Sequence, residues 1–243
     1  GINVYQFKDQ VIFEEDEIVK NDGSPYTVYT PYKNKWLANF KDQYHPLKLQ
    51  VDRFWKKTFD FPSMEEMNFK RSKISVPSFD LSVVDAYAET RDFPWKKGTS
   101  FISTHLRFGT VSIREIVSKQ TLGSTYLNEL IWREFFMQIL YHFPESAHSN
   151  FKSKYNFVEW RNNNTEFEKW CSGQTGYPIV DAGMRELNAT GLMHNRLRMI
   201  TAGFLCKHLL IDWRWGEAYF AKKLLDFDLS SNVGNWQWAA GTG

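Results

Sequence analysis

The chain has 243 residues, 42% of them hydrophobic, and a formal net charge of +2. Its mean hydropathy is −0.48 and no run of 18 apolar residues occurs, so the sequence predicts no membrane span. A charge so close to zero does not by itself indicate a nucleic-acid-binding protein, and any DNA binding must come from a local patch. The two cysteines, Cys171 and Cys206, lack CxxC spacing and favour a reducing cytosol over a disulfide scaffold.

The N-terminal sequence GINVYQFKDQVIF has no basic start followed by an apolar block, so it is not typical of a secretory signal. It also begins without Met, which predicts a fragment or a processed chain. Short extended pieces are predicted within the first thirty residues because β-branched and aromatic residues flank a turn-forming NDGSP. These pieces are VYQF, VIFE and YTVYT.

Helical patterns predominate from about Pro31 onward. Individual helices are predicted at 79–89 (FDLSVVDAYAE), 110–119 (TVSIREIVSK), 124–141 and 215–226 (WGEAYFAKKLLD). Strands do not alternate with these helices, which argues against a doubly wound sheet. The sequence therefore predicts a mainly α domain of packed helices, with any ligand lying between them.

Local signals mark helix ends and buried faces in the second half of the chain. Asn164 or Thr165 is predicted to cap a helix that ends at Gly173, and Pro178 suits the first turn of the next helix. Helical spacing of apolar residues predicts two buried stripes, namely Val180, Met184 and Leu187, and then Leu197, Ile200 and Phe204.

Aromatic residues are unusually frequent, at 17% of the chain with 10 Trp. One interpretation is a densely packed helical core. The other is stacking of the rings on a cofactor or on bases. Composition favours the first and leaves the second open.

The helix NELIWREFFMQIL carries an uncommon combination on one face. Glu129, Trp132, Arg133 and Phe136 are spaced by three and four residues and therefore share that face. A binding site is one interpretation. A Glu129–Arg133 pair on a solvated face is the alternative.

Three further stretches have the residue types of an anion or cofactor site. In MHNRLRMI, the arginines Arg196 and Arg198 suit phosphates or carboxylates, although surface arginines are the alternative. The small hydroxyls of KKGTSFIST (96–104) suit a diphosphate, with a plain helix cap as the alternative. Asp226 and Asp228 make a poor metal site without further ligands, so they are better suited to hydrogen bonds, and no metal is predicted.

Taken together, these stretches resemble the DNA photolyase/cryptochrome family of flavoproteins. The matching motifs are ELIWREFF (129–136), WCSGQTGYPIVDAGMRELNATGLMHNRLRMI (170–200), LLIDWRWGEAYFAKKLLDFDLSSNVGNWQWAAGTG (209–243) and, more loosely, TPYKNKW (30–36) and GTSFISTHLRFG (98–109). The resemblance implies a remnant of an antenna-binding α/β domain and linker at 1–30. Residues 31–243 would then form a helical FAD-binding domain that is incomplete at its C-terminus.

The resemblance also implies which residues contact FAD, whose reduced form would be active. They are Tyr87, Thr99, Ser100, Phe101, Ile102, Ser103, Tyr126, Glu129, Arg133, Arg198, Asp226, Phe227, Asp228 and Asn232. Within this set Arg198 would pair with Asp226, and Asn232 would face flavin N5. An antenna chromophore of folate or deazaflavin type would belong only to the N-terminal domain.

The implied activity is light-driven repair of cyclobutane pyrimidine dimers in UV-damaged DNA. The implied residues for the dimer and its DNA are Arg91, Glu129, Trp132, Arg133, Phe136, Asn195, Arg196, Met199 and Trp238. Electrons would reach the flavin through Trp236, Trp213 and Trp160, and Asn232 and Glu129 would also act in catalysis. Glu129 would hydrogen-bond the dimer.

The neutral Asn232 resembles class I cyclobutane dimer photolyases more than plant-type cryptochromes, which carry an Asp there. Three positions depart from common family patterns: Phe101 in place of Arg or Lys, Thr104 in place of Pro, and Tyr126 in place of Trp or Gln. The resemblance implies a monomer in the bacterial cytosol. A blue-light signalling protein without repair activity and an inactive, FAD-free fragment remain as alternatives.

Overall fold

The structure is a computed structural model that describes residues 2–5, 8–40, 52 and 54–243. Over these ranges the chain is mainly α-helical, as predicted, with one isolated β-bridge between Val19 and Pro25. Two 3₁₀ turns, Pro144–Ala147 and Ser153–Phe157, accompany the α-helices. The α-helices are α1 (Tyr29–Asn39), α2 (Tyr87–Thr90), α3 (Ser103–Arg107), α4 (Ile113–Ser118), α5 (Thr125–His142), α6 (Asn164–Ser172), α7 (Pro178–Thr190), α8 (Asn195–Lys207), α9 (Trp213–Lys223) and α10 (Leu229–Ala240).

The extended pieces predicted near the N-terminus do not form strands in the described residues. The prediction that YTVYT is extended was wrong in part, since Tyr29 already begins α1. Tyr32 and Trp36, one helical turn apart, are both 1% exposed, and this burial outweighs the β-propensity of the stretch. VYQF lies partly outside the described residues. The division at residue 30 falls within α1 and stays a prediction.

The helix predicted at 79–89 was also wrong, because only its last residues belong to α2. The Asp80 carboxylate accepts a hydrogen bond from the backbone N–H of Ser82 at 2.8 Å. Such a local side-chain bond competes with helix formation and favours a turn. By contrast, the helices predicted at 110–119 and 124–141 are confirmed as α4 and α5.

The predicted end signals of α6 and α7 are confirmed within one residue. Asn163, not Asn164 or Thr165, caps α6, and its Oδ1 accepts from the N–H of Glu166 at 3.1 Å. This cap places an acidic residue in the first turn, where the helix dipole favours it. Gly173 ends α6 with a φ of 66°, and Pro178 begins α7, both as predicted.

One of the two predicted buried stripes is confirmed and the other needs a correction. Val180, Met184 and Leu187 are buried along α7. On α8 the prediction was wrong for Ile200, which is 36% exposed, whereas Thr201 is fully buried. The Thr201 hydroxyl donates to the backbone carbonyl of Leu197 at 2.8 Å, which satisfies its polar group inside the core.

The helices surround two hydrophobic clusters. One contains buried residues of α1, α3, α4 and α5, and the other contains those of α6 to α10. Helix α10 packs against α5, α8 and α9, so it stands between the two clusters. Among the described helices none is long and apolar enough to cross a membrane.

Candidate functional site

A cleft of about 100 Å³, open at its mouth, lies where α8 and α10 meet the loop that joins α9 to α10. Nine residues singled out in the sequence line it together. They are Asn195, Arg198, Met199, Asp226, Phe227, Asp228, Asn232, Trp236 and Trp238.

The wall of the cleft contains the buried ion pair that was predicted between Arg198 and Asp226. Nη2 of Arg198 lies 2.8 Å from Oδ2 and 3.1 Å from Oδ1 of Asp226, whose side chain is 5% exposed. Burial raises the pKa of Asp226, but Arg198 and a hydrogen bond from Ser103 outweigh burial, so the pKa is lowered. Loss of either partner would leave a charge buried without its counter-charge.

Asp228 is the N-cap of α10. Its Oδ1 accepts from the backbone N–H of Ser231 at 2.9 Å and from the hydroxyl of Ser230. The carboxylate thus satisfies the first turn and lies at the positive end of the helix dipole. The backbone carbonyl between the two acids, that of Phe227, accepts from Nε of Arg107 at 2.7 Å. Sequence reasoning missed Arg107, whose only signal was its place in the GTSFISTHLRFG motif.

Asn232 lies one turn into α10 and is 8% exposed. Its Nδ2 donates to Oε1 of Glu217 at 2.9 Å and to the carbonyl of the same residue at 3.2 Å. Burial raises the pKa of Glu217, and the hydrogen bond from Asn232 opposes that rise. Since Nδ2 is engaged, the Asn232 carbonyl oxygen is the acceptor left for a ligand in the cleft. Glu217 was not predicted, because the stretch WGEAYFAKKLLD around it shows only an ordinary helical pattern.

Trp236 and Trp238 differ sharply in environment although both contact the cleft. Trp236 is 2% exposed, and its ring contacts are Phe220 at 5.0 Å and Trp170 at 6.1 Å. Trp238 is 60% exposed and lies at the mouth. One indole is therefore part of the core and the other is available to a ligand.

The three tryptophans predicted as an electron chain all belong to the cluster of α6 to α10. Trp213 and Trp236 are buried, and Trp160 is partly buried against the cluster. Nε1 of Trp213 donates to Oδ1 of Asn150 at 2.8 Å. The predicted sequence of hops stays a prediction, and Trp170, which was not predicted, is an indole in ring contact with Trp236 at 6.1 Å.

The predicted segment 99–103 and its aromatic neighbours lie beside the cleft and are not among its lining residues. The hydroxyls of Ser100 and Tyr126 are 2.8 Å apart, and the rings of Tyr126 and Tyr87 meet edge to face at 5.1 Å. Ser103 links this segment to the cleft through its hydrogen bond to Asp226. Ile102 and also Thr104, just after the segment, are buried, whereas Phe101 has a φ of 53° and is 44% exposed. Few non-glycine residues adopt that backbone conformation.

The four residues on the shared face of α5 do not line the cleft. The alternative of an internal Glu129–Arg133 pair is wrong, since Nη1 of Arg133 donates to the carbonyl of Gln10 at 2.7 Å. Burial lowers the pKa of Arg133, and the charge of Asp228 opposes that change. Trp132 stacks on Tyr29 with centroids 3.5 Å apart.

Phe136, the fourth of these residues, packs where α5 crosses α10. A Cβ placed on Gly234 would lie 2.2 Å from its ring, so the contact requires glycine at that position. In this structure the Phe136 side chain therefore contributes to the packing of α5 against α10. Its predicted role at the dimer stays a prediction.

Charged residues form a chain beside the mouth of the cleft. Glu129 Oε1 lies 2.6 Å from Nη1 of Arg91, and Asp92 Oδ1 lies 2.6 Å from Nη2 of Arg196. Nη1 of Arg196 lies 3.2 Å from the sulfur of Met199, which lines the cleft. The described residues contain no group of three or more acidic, His or Cys side chains arranged for a metal.

The chain is similar to photolyases over its whole length. Residues 126–243 match the family model described as the FAD binding domain of DNA photolyase, and residues 1–50 match the DNA photolyase model. The deoxyribodipyrimidine photo-lyase of Halobacterium salinarum is 38% identical over the whole chain, which covers 57% of that relative. The enzyme of the same name from Salmonella typhimurium is 41% identical over 98% of the chain, which covers 56% of it.

Solved structures give the same result. A class III photolyase from Agrobacterium tumefaciens is 36% identical with a TM-score of 0.82, over 98% of this chain and 55% of that one. A cryptochrome from Synechocystis is 28% identical with a TM-score of 0.74, over 96% of this chain and 54% of that one. The chain spans little more than half the length of these relatives. It belongs to the DNA photolyase/cryptochrome family and includes the helical FAD-binding domain of that family.

Proposed function

We propose that the chain holds FAD against the cleft and, as part of a deoxyribodipyrimidine photo-lyase, splits cyclobutane pyrimidine dimers in DNA under light. The observation that carries the proposal is one cleft that joins two kinds of group. The Arg198–Asp226 pair and Asn232 form its polar wall, while Trp238 stands exposed at its mouth. A cofactor and an aromatic substrate could thus be bound side by side.

The chemistry of the wall fits a flavin nucleotide. The Asn232 carbonyl can accept from a ring N–H, because its amide is held by Glu217. The Asp226 and Asp228 carboxylates have acceptor capacity for N–H or hydroxyl donors. Arg198, Arg107 and Arg133 are positive groups that would stabilise negative charge in a site of low dielectric. When bound, reduced FAD supplies the light-excited electron that opens the dimer, and the electron then returns.

The residues at the mouth suit an extruded pair of pyrimidines. Trp238 offers a flat apolar ring that is 60% exposed, and Met199 and Asn195 lie next to it in the cleft. Photolyases are a standard example of enzymes that take their target base out of the duplex, so this step follows the family. Arg91 and Arg196 beside the mouth would contact the DNA backbone, and binding should weaken as salt rises.

The tryptophans supply a route for reduction of the cofactor. Trp236 on the wall would donate first and would be refilled from Trp213 and then Trp160, which lies toward the edge of the core. Indole rings oxidise more readily than phenylalanine or aliphatic groups, and tunnelling falls steeply with distance, so a row of indoles can carry charge stepwise. Monomeric assembly and a bacterial cytosolic location are further parts of the proposal.

Two measurements test the proposal. An absorption spectrum of the purified protein should contain flavin bands, and their absence after reconstitution with FAD would refute cofactor binding. The reduced protein should then remove dimers from UV-damaged oligonucleotide under blue light and not in the dark. Flavin bands without light-dependent repair would instead favour a blue-light signalling protein, a reading supported by the fold shared with the Synechocystis cryptochrome.

A further inference from the structure

Four charged side chains from three parts of the chain form a continuous row beside the mouth of the cleft. Glu129 on α5 pairs with Arg91 at 2.6 Å, and Nε of Arg91 lies 3.6 Å from Oδ1 of Asp92. The same oxygen accepts from Nε of Arg196 at 2.8 Å and from Nη2 at 2.6 Å. Asp92 is therefore the acid shared by both arginines.

The pairing with Asp92 contributes little to stability. Its side chain is 53% exposed and that of Arg196 is 34% exposed. Ion pairs in such surroundings stabilise a fold only weakly, because water screens them and ordering the side chains costs entropy. The main consequence of the pair is thus the fixed direction of the Arg196 guanidinium.

That direction places Arg196 at the cleft. Two of its nitrogens bind Asp92, and Nη1 lies 3.2 Å from the sulfur of Met199. Met199 lines the cleft together with Asn195, the residue before Arg196. Holding a long side chain in place before a ligand arrives removes part of the entropy cost of ordering it on binding.

Charge balance adds a second consequence. Arg91 and Arg196 together carry two positive charges, and Asp92 and Glu129 carry two negative charges, so the row is neutral as a whole. A half-exposed carboxylate next to the arginines also repels phosphates that approach from solvent. The row therefore attracts a generic polyanion weakly while keeping its arginines correctly oriented.

We propose that Asp92 is a positioning residue that sets the specificity of DNA binding, because it orients Arg196 and Arg91 and offsets their attraction for undamaged duplex. The choice of DNA as the ligand rests on the proposed function. The role does not require Asp92 to touch the dimer or the cofactor. It acts through the two arginines.

The test compares Asp92→Asn with the original protein on undamaged duplex and on the same duplex with one cyclobutane dimer, across 50 to 200 mM salt. One cation freed for phosphate makes the slope of log K against log salt steeper by about 0.9. That slope corresponds to about a 3.5-fold greater loss of affinity over this fourfold range of salt. We expect tighter binding of undamaged duplex at low salt, the steeper slope, and a smaller ratio of dimer to undamaged affinity.

Two further variants show whether the effect of Asp92→Asn comes from the position of the lost acid, from the change in net charge or from a change in folding. Glu115→Gln on α4 removes one exposed carboxylate that is paired with Lys119, so it matches the charge change. Asp92→Glu restores the acid and should restore the slope. All variants should melt within a few degrees of the original, consistent with an exposed pair.

The inference is overturned if Asp92→Asn leaves the affinity for undamaged duplex and the dimer preference unchanged. It is equally overturned if Glu115→Gln has the same effect, or if Asp92→Asn weakens both DNAs together. If the original protein shows no preference for dimers, the proposed function fails. The salt slope on undamaged duplex would still decide whether Asp92 restrains the arginines.

Discussion

Replacement of Gly216 by alanine should disturb the core next to the cleft. A Cβ at this position in α9 would lie 2.1 Å from Cη2 of Trp236 and 2.6 Å from a methyl carbon of Leu205. Trp236 is 2% exposed and Leu205 is fully buried, so neither side chain has solvent to move into. Helices α9 and α10 would have to separate, or the indole would have to leave its position on the cleft wall.

The expected magnitude follows from two opposing contributions. Overpacking of a well-packed core costs about 1–3 kcal/mol. Alanine in a helix is more favourable than glycine by about 1 kcal/mol, which offsets part of this cost. Gly203 in α8 is a matched control, because a Cβ there meets no atom within 4 Å. Gly203→Ala should gain the helix contribution alone, so the difference between the variants isolates the packing cost.

Urea unfolding of both variants and the original protein measures that difference. We expect Gly203→Ala to be more stable than Gly216→Ala by about 1–3 kcal/mol. Photoreduction of bound flavin should be slower in Gly216→Ala, because Trp236 is displaced, and unchanged in Gly203→Ala. Equal unfolding free energies for the two variants would refute the close packing described here.

Three other changes have clear expected outcomes. Trp236→Phe should remove most light-driven reduction of the flavin while FAD stays bound. Transient absorption with an external thiol reductant measures this reduction, and an undiminished rate would exclude Trp236 as the first donor. Asp226→Asn should abolish FAD binding or lower the affinity for FAD strongly, because Arg198 loses its buried partner. Full retention of FAD in equilibrium dialysis would contradict this expectation. Burial raises the pKa of Glu134 from 4.5 to about 7, so the folded state holds its proton more tightly than the unfolded state. The free energy of unfolding should therefore fall by up to about 3 kcal/mol as pH rises from 4.5 to 7, and Glu134→Gln should flatten this slope in urea titrations.

Sequence patterns predicted the fold where local chemistry decides the structure. The ends of α6 and α7 were predictable because Gly173 adopts a left-handed conformation and Pro178 favours a first turn. At 79–89 the Asp80 carboxylate accepts from the N–H of Ser82, and such a bond favours a turn over the predicted helix. Helical spacing also missed Thr201, because the pattern counts only apolar residues and its hydroxyl is satisfied within the helix.

The site was predictable only at positions where a residue matches a motif of the family. Arg198 and Asp226 pair as implied, although 28 positions separate them. Asp92 lies outside the matching motifs, and Glu217 lies within one that implied no role for it. Each acts through a contact with another part of the chain. The shared face of α5 was recognised correctly as unusual, but its partners come from elements that periodicity cannot place, such as Tyr29 against Trp132.

The Glu134 carboxylate also constrains how the protein is made. It is buried in α5 and accepts hydrogen bonds from the backbone N–H of Ile12 at 2.6 Å, of Phe13 at 3.2 Å and from the indole of Trp36 at 2.7 Å. Ile12 precedes Glu134 by 122 positions. At about 5–20 residues per second, a ribosome takes roughly 6–24 seconds to cover that distance. During this interval the amides of Ile12 and Phe13 cannot donate to Glu134, so these contacts close only after α5 has been synthesised.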